Sequence, residues 1–353
     1  MKKILFNLTP DELTEFVAGM GQPKFRAKQI TEWLDRGAPD FSVMKNLPEQ
    51  LREQLAGVAE TLPLTIADRL DSADGETTKF LLRLADGELI ESVLMRTNYG
   101  NSVCVSSQVG CAMGCRFCAS TLLGLRRNLT TAEMAAQVLI AQWTLRAGRF
   151  DIAANGDRNN GDVSHVVIMG TGEPLQNTEN SIAFMEFLHE KLNISWRKIT
   201  ISTCGLVPGI EQLTQWGRPV NLAISLHAPT DELRRKIMPI ADRHTIVQVL
   251  DAAFANAGAH NRQLMIEYIL LGGFNDSVAQ ADELADLLRG REVMVNLIPW
   301  NAVGERDWTA PSGNAIHRFN DALIKKGINS RIRRERGADI ASACGQLRAQ
   351  RIS

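Results

Sequence analysis

From about Ser102 onward the chain repeats one pattern six times. An apolar, strand-like run is followed by a stretch with helical spacing. The runs are SVCVS, HVVIM, KITIS, VNLAISL, QLMIEYILL and EVMVNLI; the helical stretches include TTAEMAAQVLIAQWTLRA, SIAFMEFLHEKL, IVQVLDAAFANAG and SVAQADELADLLRG. Such βα alternation predicts a parallel sheet and an α/β fold. Six units are too few for a closed eight-fold barrel, which leaves a partial, open (β/α)6 barrel or a doubly wound sheet. The placing of the polar motifs favours the barrel. A three-cysteine loop follows the first run, and the glycine-rich turn at 170–174 follows the second. Ser202, Ser225 and Asn301 stand at or after the ends of the third, fourth and sixth. Residues at the C-terminal ends of parallel strands converge on one face, where barrel active sites lie.

Two other segments precede the repeat. Residues 1–60 read as a helical module: Thr9 as N-cap and Pro10 in the first turn start a helix, and two more fit PKFRAKQITEWLDRG and LPEQLREQLAGVAETL. In the first of these two, Phe25, Ile30 and Trp33 are expected on the apolar side. Residues 61–98 read as a β-hairpin linker segment, with strand alternation from Thr77 to Arg96 broken at Asp86-Gly87, a hairpin turn signal. Residues 99–353 then read as one domain that carries the βα repeat.

Cys111, Cys115 and Cys118 are spaced C-x3-C-x2-C. Three thiolates from one loop can hold an iron–sulfur cluster and leave one iron of a cubane open. The competing reading is half of a zinc site, but His165, His189 and His227 have no knuckle spacing. Phe117, inside the loop, would keep water from the cluster. The other cysteines, Cys104, Cys204 and Cys344, read singly as small buried hydrophobes. Glu91 reads as a surface strand residue unless it turns inward, where it could act as a base.

No apolar run approaches the roughly 20 residues of a membrane span. The start, MKKILFNLTPDE, lacks a secretory apolar region and a cleavage site, so a cytoplasmic protein with reduced cysteines is expected. The formal net charge of −1 gives no global pull toward nucleic acid. Locally, Arg126 and Arg127 follow the cysteine loop, and Arg331, Arg333, Arg334, Arg336, Arg348 and Arg351 cluster late. They could hold a phosphate backbone or only solvate a face. The stretch 151–162 looks like a flexible surface insertion.

The cysteine spacing resembles the signature of the radical S-adenosylmethionine (SAM) superfamily. Together, CVSSQVGC, MGTGEPLQN, ISTCG, AISLHAPT, VNLIPWN and ACGQL resemble the adenine carbon-2 RNA methyltransferase family, RlmN, over almost the whole chain. That resemblance implies one [4Fe-4S] cluster on Cys111, Cys115 and Cys118, and a SAM pocket lined by Gly172, Glu173, Ser202, Ser225, Leu226, His227 and Asn301. It also implies that Cys344 carries the methyl group, that Cys104 resolves a covalent RNA intermediate and that Glu91 accepts the proton. Two SAM molecules are consumed per turnover, one as methyl donor and one as radical source. The implied substrates are protein-free 23S rRNA and tRNA, with a reducing donor such as flavodoxin, a monomeric enzyme and no membrane. Cys204 departs from the small residue usual in relatives. A sister family that methylates adenine carbon 8, the Cfr type, shares both catalytic cysteines, although the proline after Glu173 resembles the carbon-2 enzymes. A non-catalytic iron–sulfur RNA-binding or redox-sensing protein is the alternative of another class.

Overall fold

A computed structural model describes residues 2–146, 161–334, 337–340 and 347. Most of the stretch 151–162, Arg336, Cys344, Arg348 and Arg351 lie outside them. The chain opens with β1 (Lys3–Ile4), α1 (Pro10–Gly19), α2 (Phe25–Asp35) and α3 (Glu49–Val58), and β2 (Ala59–Glu60) returns to pair with β1. Thr9 and Glu12 form a reciprocal capping box, and Pro10 fills the first helical position, where no amide donor is needed. Leu5, Leu13, Val17, Ile30, Trp33, Leu51 and Leu55 give this module its own core. Phe25 does not join it: it is 58% exposed, with the Arg26 guanidinium over its ring. It begins α2, on the turn facing away from Ile30 and Trp33.

β3 (Leu64–Asp71), β4 (Thr77–Leu84) and β5 (Leu89–Thr97) form an antiparallel meander. The Asp86-Gly87 turn is where the sequence puts it, with Gly87 at φ +85°. β3 is a strand more than the hairpin read from sequence. Its residues are mostly exposed, so they carry no apolar alternation to announce it. β6 (Gly100–Cys104) pairs antiparallel with β5 and so joins the meander to the repeat.

β7 (Gln108–Gly110) and β8 (Leu125–Asn128) pair with each other and pinch the cysteine loop at its base. Then follow α4 (Thr131–Leu145), β9 (Val163–Ile168), α5 (Thr178–Glu190), β10 (Ile199–Thr203), α6 (Val207–Trp216), β11 (Asn221–Ser225), α7 (Asp231–Ile237), α8 (Ile246–Ala259), β12 (Leu264–Leu270), α9 (Val278–Leu288), β13 (Val293–Pro299), α10 (Gly313–Lys325) and β14 (Asn329–Ile332). One sheet of ten strands runs in the order β14-β13-β12-β11-β10-β9-β6-β5-β4-β3. From β6 to β14 every pairing is parallel, seven strands against the six expected. The extra one, β14, is short and polar. The order is linear, with β14 and β3 at its ends, so the barrel is open.

The helices bury their apolar faces on this sheet in one large core that includes Val103, Val166, Ile201, Ile224, Ile266 and Val295. Each such side chain stabilises the fold by roughly 1.5–3 kcal/mol relative to exposure. With this core fixed, the C-terminal strand ends are held rigidly side by side. Among the described residues, no helix is long and apolar enough to cross a membrane.

Candidate active site

At the C-terminal ends of the parallel strands lies a cavity with an empty volume of about 880 Å³. Cys111, Cys115 and Cys118 line it together with Gly172, Glu173, Ser202, Ser225 and His227. Motifs more than a hundred positions apart thus meet in one space, as parallel strand ends dictate. Leu226 and Asn301 are not among the lining residues. The Leu226 side chain is wholly buried, while its amide donates to Glu267 O at 3.1 Å. Asn301 is half-buried one position beyond Trp300.

The cysteine loop is clamped from several sides. Trp300 Nε1 donates to Phe117 O at 3.1 Å, Trp308 Nε1 to Arg116 O at 3.0 Å and Arg306 Nη2 to Cys118 O at 2.9 Å. Arg116 N donates to Ile237 O at 2.9 Å. Gly110, at φ +74°, sits where a Cβ would lie 1.8 Å from Gly124 O, so only glycine lets the loop close. Phe117 is buried, lines the cavity and meets the His227 ring edge-on at 5.0 Å.

The glycine-rich turn is tight for a reason other than ligand approach. A Cβ on Gly172 would sit 2.8 Å from Gln108 N, and one on Gly170 2.8 Å from Ser106 N. The glycines let this turn lie against 105–108, where Thr171 N donates to the Ser106 hydroxyl oxygen at 3.0 Å and Glu173 N donates to Gln108 Oε1 at 2.8 Å. Glu173 is thereby aimed inward. Its carboxylate accepts from Leu175 N at 2.9 Å and Cys204 N at 2.8 Å, yet burial keeps its pKa above the usual carboxylate range. His227 stands at φ +62°, held there by Asn275 Nδ2 on its carbonyl at 2.8 Å. Its Nδ1 accepts from Ile269 N at 3.0 Å, which leaves the proton on Nε2. Burial, with the charge of Arg234, depresses its pKa to about 3, so the ring is neutral.

Sequence reasoning missed Glu267 and read Arg333 only as part of the late arginine cluster; both line the cavity. Glu267 Oε1 accepts from Asn296 Nδ2 at 2.8 Å, and Arg333 Nη1 lies 3.9 Å from Oε2. Both residues come from strand regions, where an inward acid or base looks like ordinary alternation. Arg331 bonds Asn296. Arg333 is therefore held at the barrel wall, while Arg331 bonds Asn296 and remains exposed. Arg127 is committed too: it forks onto both carboxylate oxygens of Glu133 at 2.9 Å and reaches Asp86 Oδ2 at 2.6 Å.

The donor set fits an iron–sulfur cluster. Burial pushes the Cys111 thiol up to about 12, with Cys118 and Glu173 adding to the shift, and Cys115 is raised in the same way. Two buried thiolates, Cys111 and Cys115, with the half-buried Cys118 beside them, need positive charge, which iron supplies on coordination. Among the described residues, no three His, Cys, Asp or Glu side chains close on one point as the ligands of a single ion do. The three cysteines share a cavity wall. Beside them, Glu173 offers a buried acceptor for an amino group, and Ser202 and Ser225 offer hydroxyls.

Beyond the cavity, Glu91 and Cys104 share one face of the sheet. Val93, two residues after Glu91, is directly paired with Cys104, and Cys104 with Val167. Glu91 is buried, not on the surface as read from sequence; Lys79 Nζ lies 3.4 Å from its Oε1. Cys104 packs with Val93, Met95, Val167, Met169 and Leu347. Met169 also lines the cavity, which links the two regions. Cys344 lies outside the described residues, but Leu347, three positions on, is buried against Cys104.

Residues 4–61 match the model of the ribosomal RNA large subunit methyltransferase N-terminal domain, and residues 105–288 that of the radical SAM superfamily. A protein of Symbiobacterium thermophilum, named probable dual-specificity RNA methyltransferase RlmN, is 46% identical over 96% of this chain and 89% of its own length. One of the same name from Geobacillus thermodenitrificans is 47% identical over 98% and 93%. The crystal structure of a radical SAM methyltransferase from Sphaerobacter thermophilus superposes with a TM-score of 0.87, at 43% identity over 99% of this chain and 100% of that one.

Proposed function

The chain belongs to the RlmN family of radical SAM RNA methyltransferases, and on that premise we propose that it methylates carbon 2 of adenine by way of a methyl group carried on Cys344. The substrates are protein-free 23S rRNA, at the peptidyl transferase centre, and tRNA, just 3′ of the anticodon. Carbon 2 lies between two ring nitrogens and is electron-poor, so direct polar transfer of a methyl cation is disfavoured. Bound at Cys111, Cys115 and Cys118, a [4Fe-4S] cluster supplies the electron that splits SAM and so makes radical chemistry available at the methyl group.

The chain's own residues divide the remaining work. Glu173, Ser202, Ser225 and His227 orient SAM through its amino group and polar edges. Neutral His227 donates from Nε2. Phe117 and the apolar residues around it exclude water. Cys344 holds the methyl group on Sγ. Glu91 takes the proton from carbon 2 onto its carboxylate, and Cys104 attacks Cys344 Sγ to free the methylated RNA. The resulting disulfide is transient, in keeping with a reducing compartment. A small reducing protein such as flavodoxin supplies electrons.

The observation that carries this reading is the position of Leu347, packed on Cys104 and bonded through its carbonyl to Ser120, a lining residue of the cavity. It puts Leu347, three positions after Cys344 in sequence, beside both the cofactor cavity and Cys104. A second, wider cavity with an empty volume of about 1730 Å³ shares Ser120 and is lined by Gly87–Ile90 and Leu122–Gly124. It gives room for an adenine turned out of its stack. Mass spectrometry of nucleosides from 23S rRNA and tRNA, after anaerobic reaction with the reconstituted protein, tests the assignment. We expect 2-methyladenosine from both RNAs. 8-Methyladenosine would assign the chain the sister activity, and unmodified adenosine would refute the proposal.

A further inference from the structure

Arg234 has no role in the chemistry described so far, yet it is the largest side chain in the molecule that is fully buried among the described residues. It projects from the middle of α7 to the ends of two barrel strands. Its Nε donates to Leu226 O at 3.1 Å, and its Nη2 donates to Cys204 O at 2.6 Å and Ser225 O at 3.4 Å. Nη1 is buried with no hydrogen-bond partner among the described residues. Carbonyl oxygens satisfy donors but do not cancel a charge, and among the described residues no carboxylate forms a salt bridge with this guanidinium. Asp231 is near enough to be felt, but its Oδ1 already accepts from Ile246 N at 2.8 Å. A buried cation without a counter-ion is strongly unfavourable, so something anionic must compensate it.

Ahead of Asp231, the groups that act most strongly on Arg234 are the thiols of Cys204 and Cys115, the second of which is one of the three proposed cluster cysteines. The neighbourhood is shared and dry. Cys115, Phe117, Cys204, Ile237, Met238 and Ile240 pack in one apolar group. The cysteine loop is bonded to the end of α7 through Arg116 N and Ile237 O. A Cβ on Gly114 would sit 3.3 Å from Pro239, just past the same helix. In such low-dielectric surroundings a fixed charge acts strongly on its neighbours. A cluster held by three thiolates is anionic and gains a further negative charge on reduction.

We propose that Arg234 is the built-in counter-ion of the cluster site: a positioning residue that ties the ends of β10 and β11 together and whose charge favours the reduced state of the cluster. Net charge and burial are among the levers that set iron–sulfur potentials. The inference rests on Cys111, Cys115 and Cys118 holding a cluster and is independent of which RNA atom is methylated. Arg235, the next residue on α7, is exposed and provides a control of equal charge.

The test is a dithionite titration of the anaerobic, cluster-loaded protein without SAM, followed by electron paramagnetic resonance of the reduced cluster. Iron and sulfide are measured first; a wild-type chain that holds no cluster would end both this inference and the reading of the cysteine site. In Arg234→Gln and Arg234→Met the ratio of reduced to oxidised cluster at a fixed potential should fall about tenfold, equivalent to about 59 mV for a one-electron couple. Arg234→Lys, which restores the charge but not the fork, and Arg235→Gln should stay within about threefold of wild type. An unchanged ratio in the neutral variants, or a fall in Arg234→Lys as large as theirs, overturns the proposal. Should the neutral chains fail to fold, Arg234→Lys decides alone: a ratio within about threefold supports a charge role, and a fall of about tenfold overturns it.

Discussion

The Ser120 hydroxyl donates a 2.9 Å hydrogen bond to the carbonyl oxygen of Leu347, 227 positions away in sequence. Ser120 stands two residues after the last cluster cysteine, and Leu347 three after Cys344. On the proposed mechanism, this one bond would couple the cysteine loop to the segment whose Cys344 carries the methyl group. Buried hydrogen bonds of this kind contribute about 1 kcal/mol net. Ser120→Ala should slow single-turnover methylation by about fivefold while leaving iron and sulfide content unchanged. Leu347→Ala, which also empties the apolar contact with Cys104, should slow it further. Equal rates in all three chains would show that the tie does not position the segment.

Glu91 is buried beside Lys79 on the face that carries Cys104. Losing a general base typically costs about 10²–10⁴ in rate. Glu91→Gln keeps the shape, so product formation should fall into that range with RNA affinity and cluster content unaltered. A loss confined to RNA affinity would make Glu91 a binding residue instead.

Arg126 and Arg127 are adjacent in sequence and should separate cleanly. Arg126 is exposed on the wider cavity, whereas Arg127 is bound to Glu133 and Asp86. Arg126→Ala should weaken RNA binding and reduce its salt dependence. Arg127→Met should leave binding nearly unchanged and lower stability by about 1–2 kcal/mol, since the pair is partly screened by solvent. Binding isotherms at two salt concentrations and urea unfolding distinguish the two outcomes.

His227 carries a pH signature. Its folded pKa is depressed to about 3 from an ordinary 6.5 by burial and by Arg234. Between those values the unfolded chain binds a proton that the folded chain refuses. Its stabilising contribution is therefore complete above pH 6.5 and is lost as pH falls toward 3, by about 1.4 kcal/mol per unit. Urea unfolding at pH 7 and pH 5 should show a smaller loss in His227→Gln than in wild type, by about 2 kcal/mol. Identical losses would mean that the ring takes up a proton without disturbing the fold.

The barrel and most of its site were legible because parallel strand ends turn sequence order into spatial convergence. Cys111, Cys115, Cys118, Glu173, Ser202, Ser225 and His227 all stand at or after the ends of strand-like runs and all line one cavity. What escaped had no local signal. Glu267 and Arg333 sit in or beside strands whose facing direction depends on pairing partners. Arg234 reads as part of an exposed charge run, since Arg235 and Lys236 beside it are exposed. Arg127 looked free because its partners, Asp86 and Glu133, belong to the hairpin turn and to α4. Leu226 and Asn301 were assigned by resemblance, and their side chains stand outside the cavity wall.

The central claim is that methyl transfer passes through a covalent bond between Cys344 and the RNA, which Cys104 then releases. Its most direct test is mass spectrometry of the Cys104→Ala chain after anaerobic reaction with RNA substrate and SAM. The account predicts an RNA adduct on the peptide containing Cys344, absent from wild type and from Cys344→Ala. A Cys104→Ala chain that turns over like wild type and leaves no adduct would contradict it.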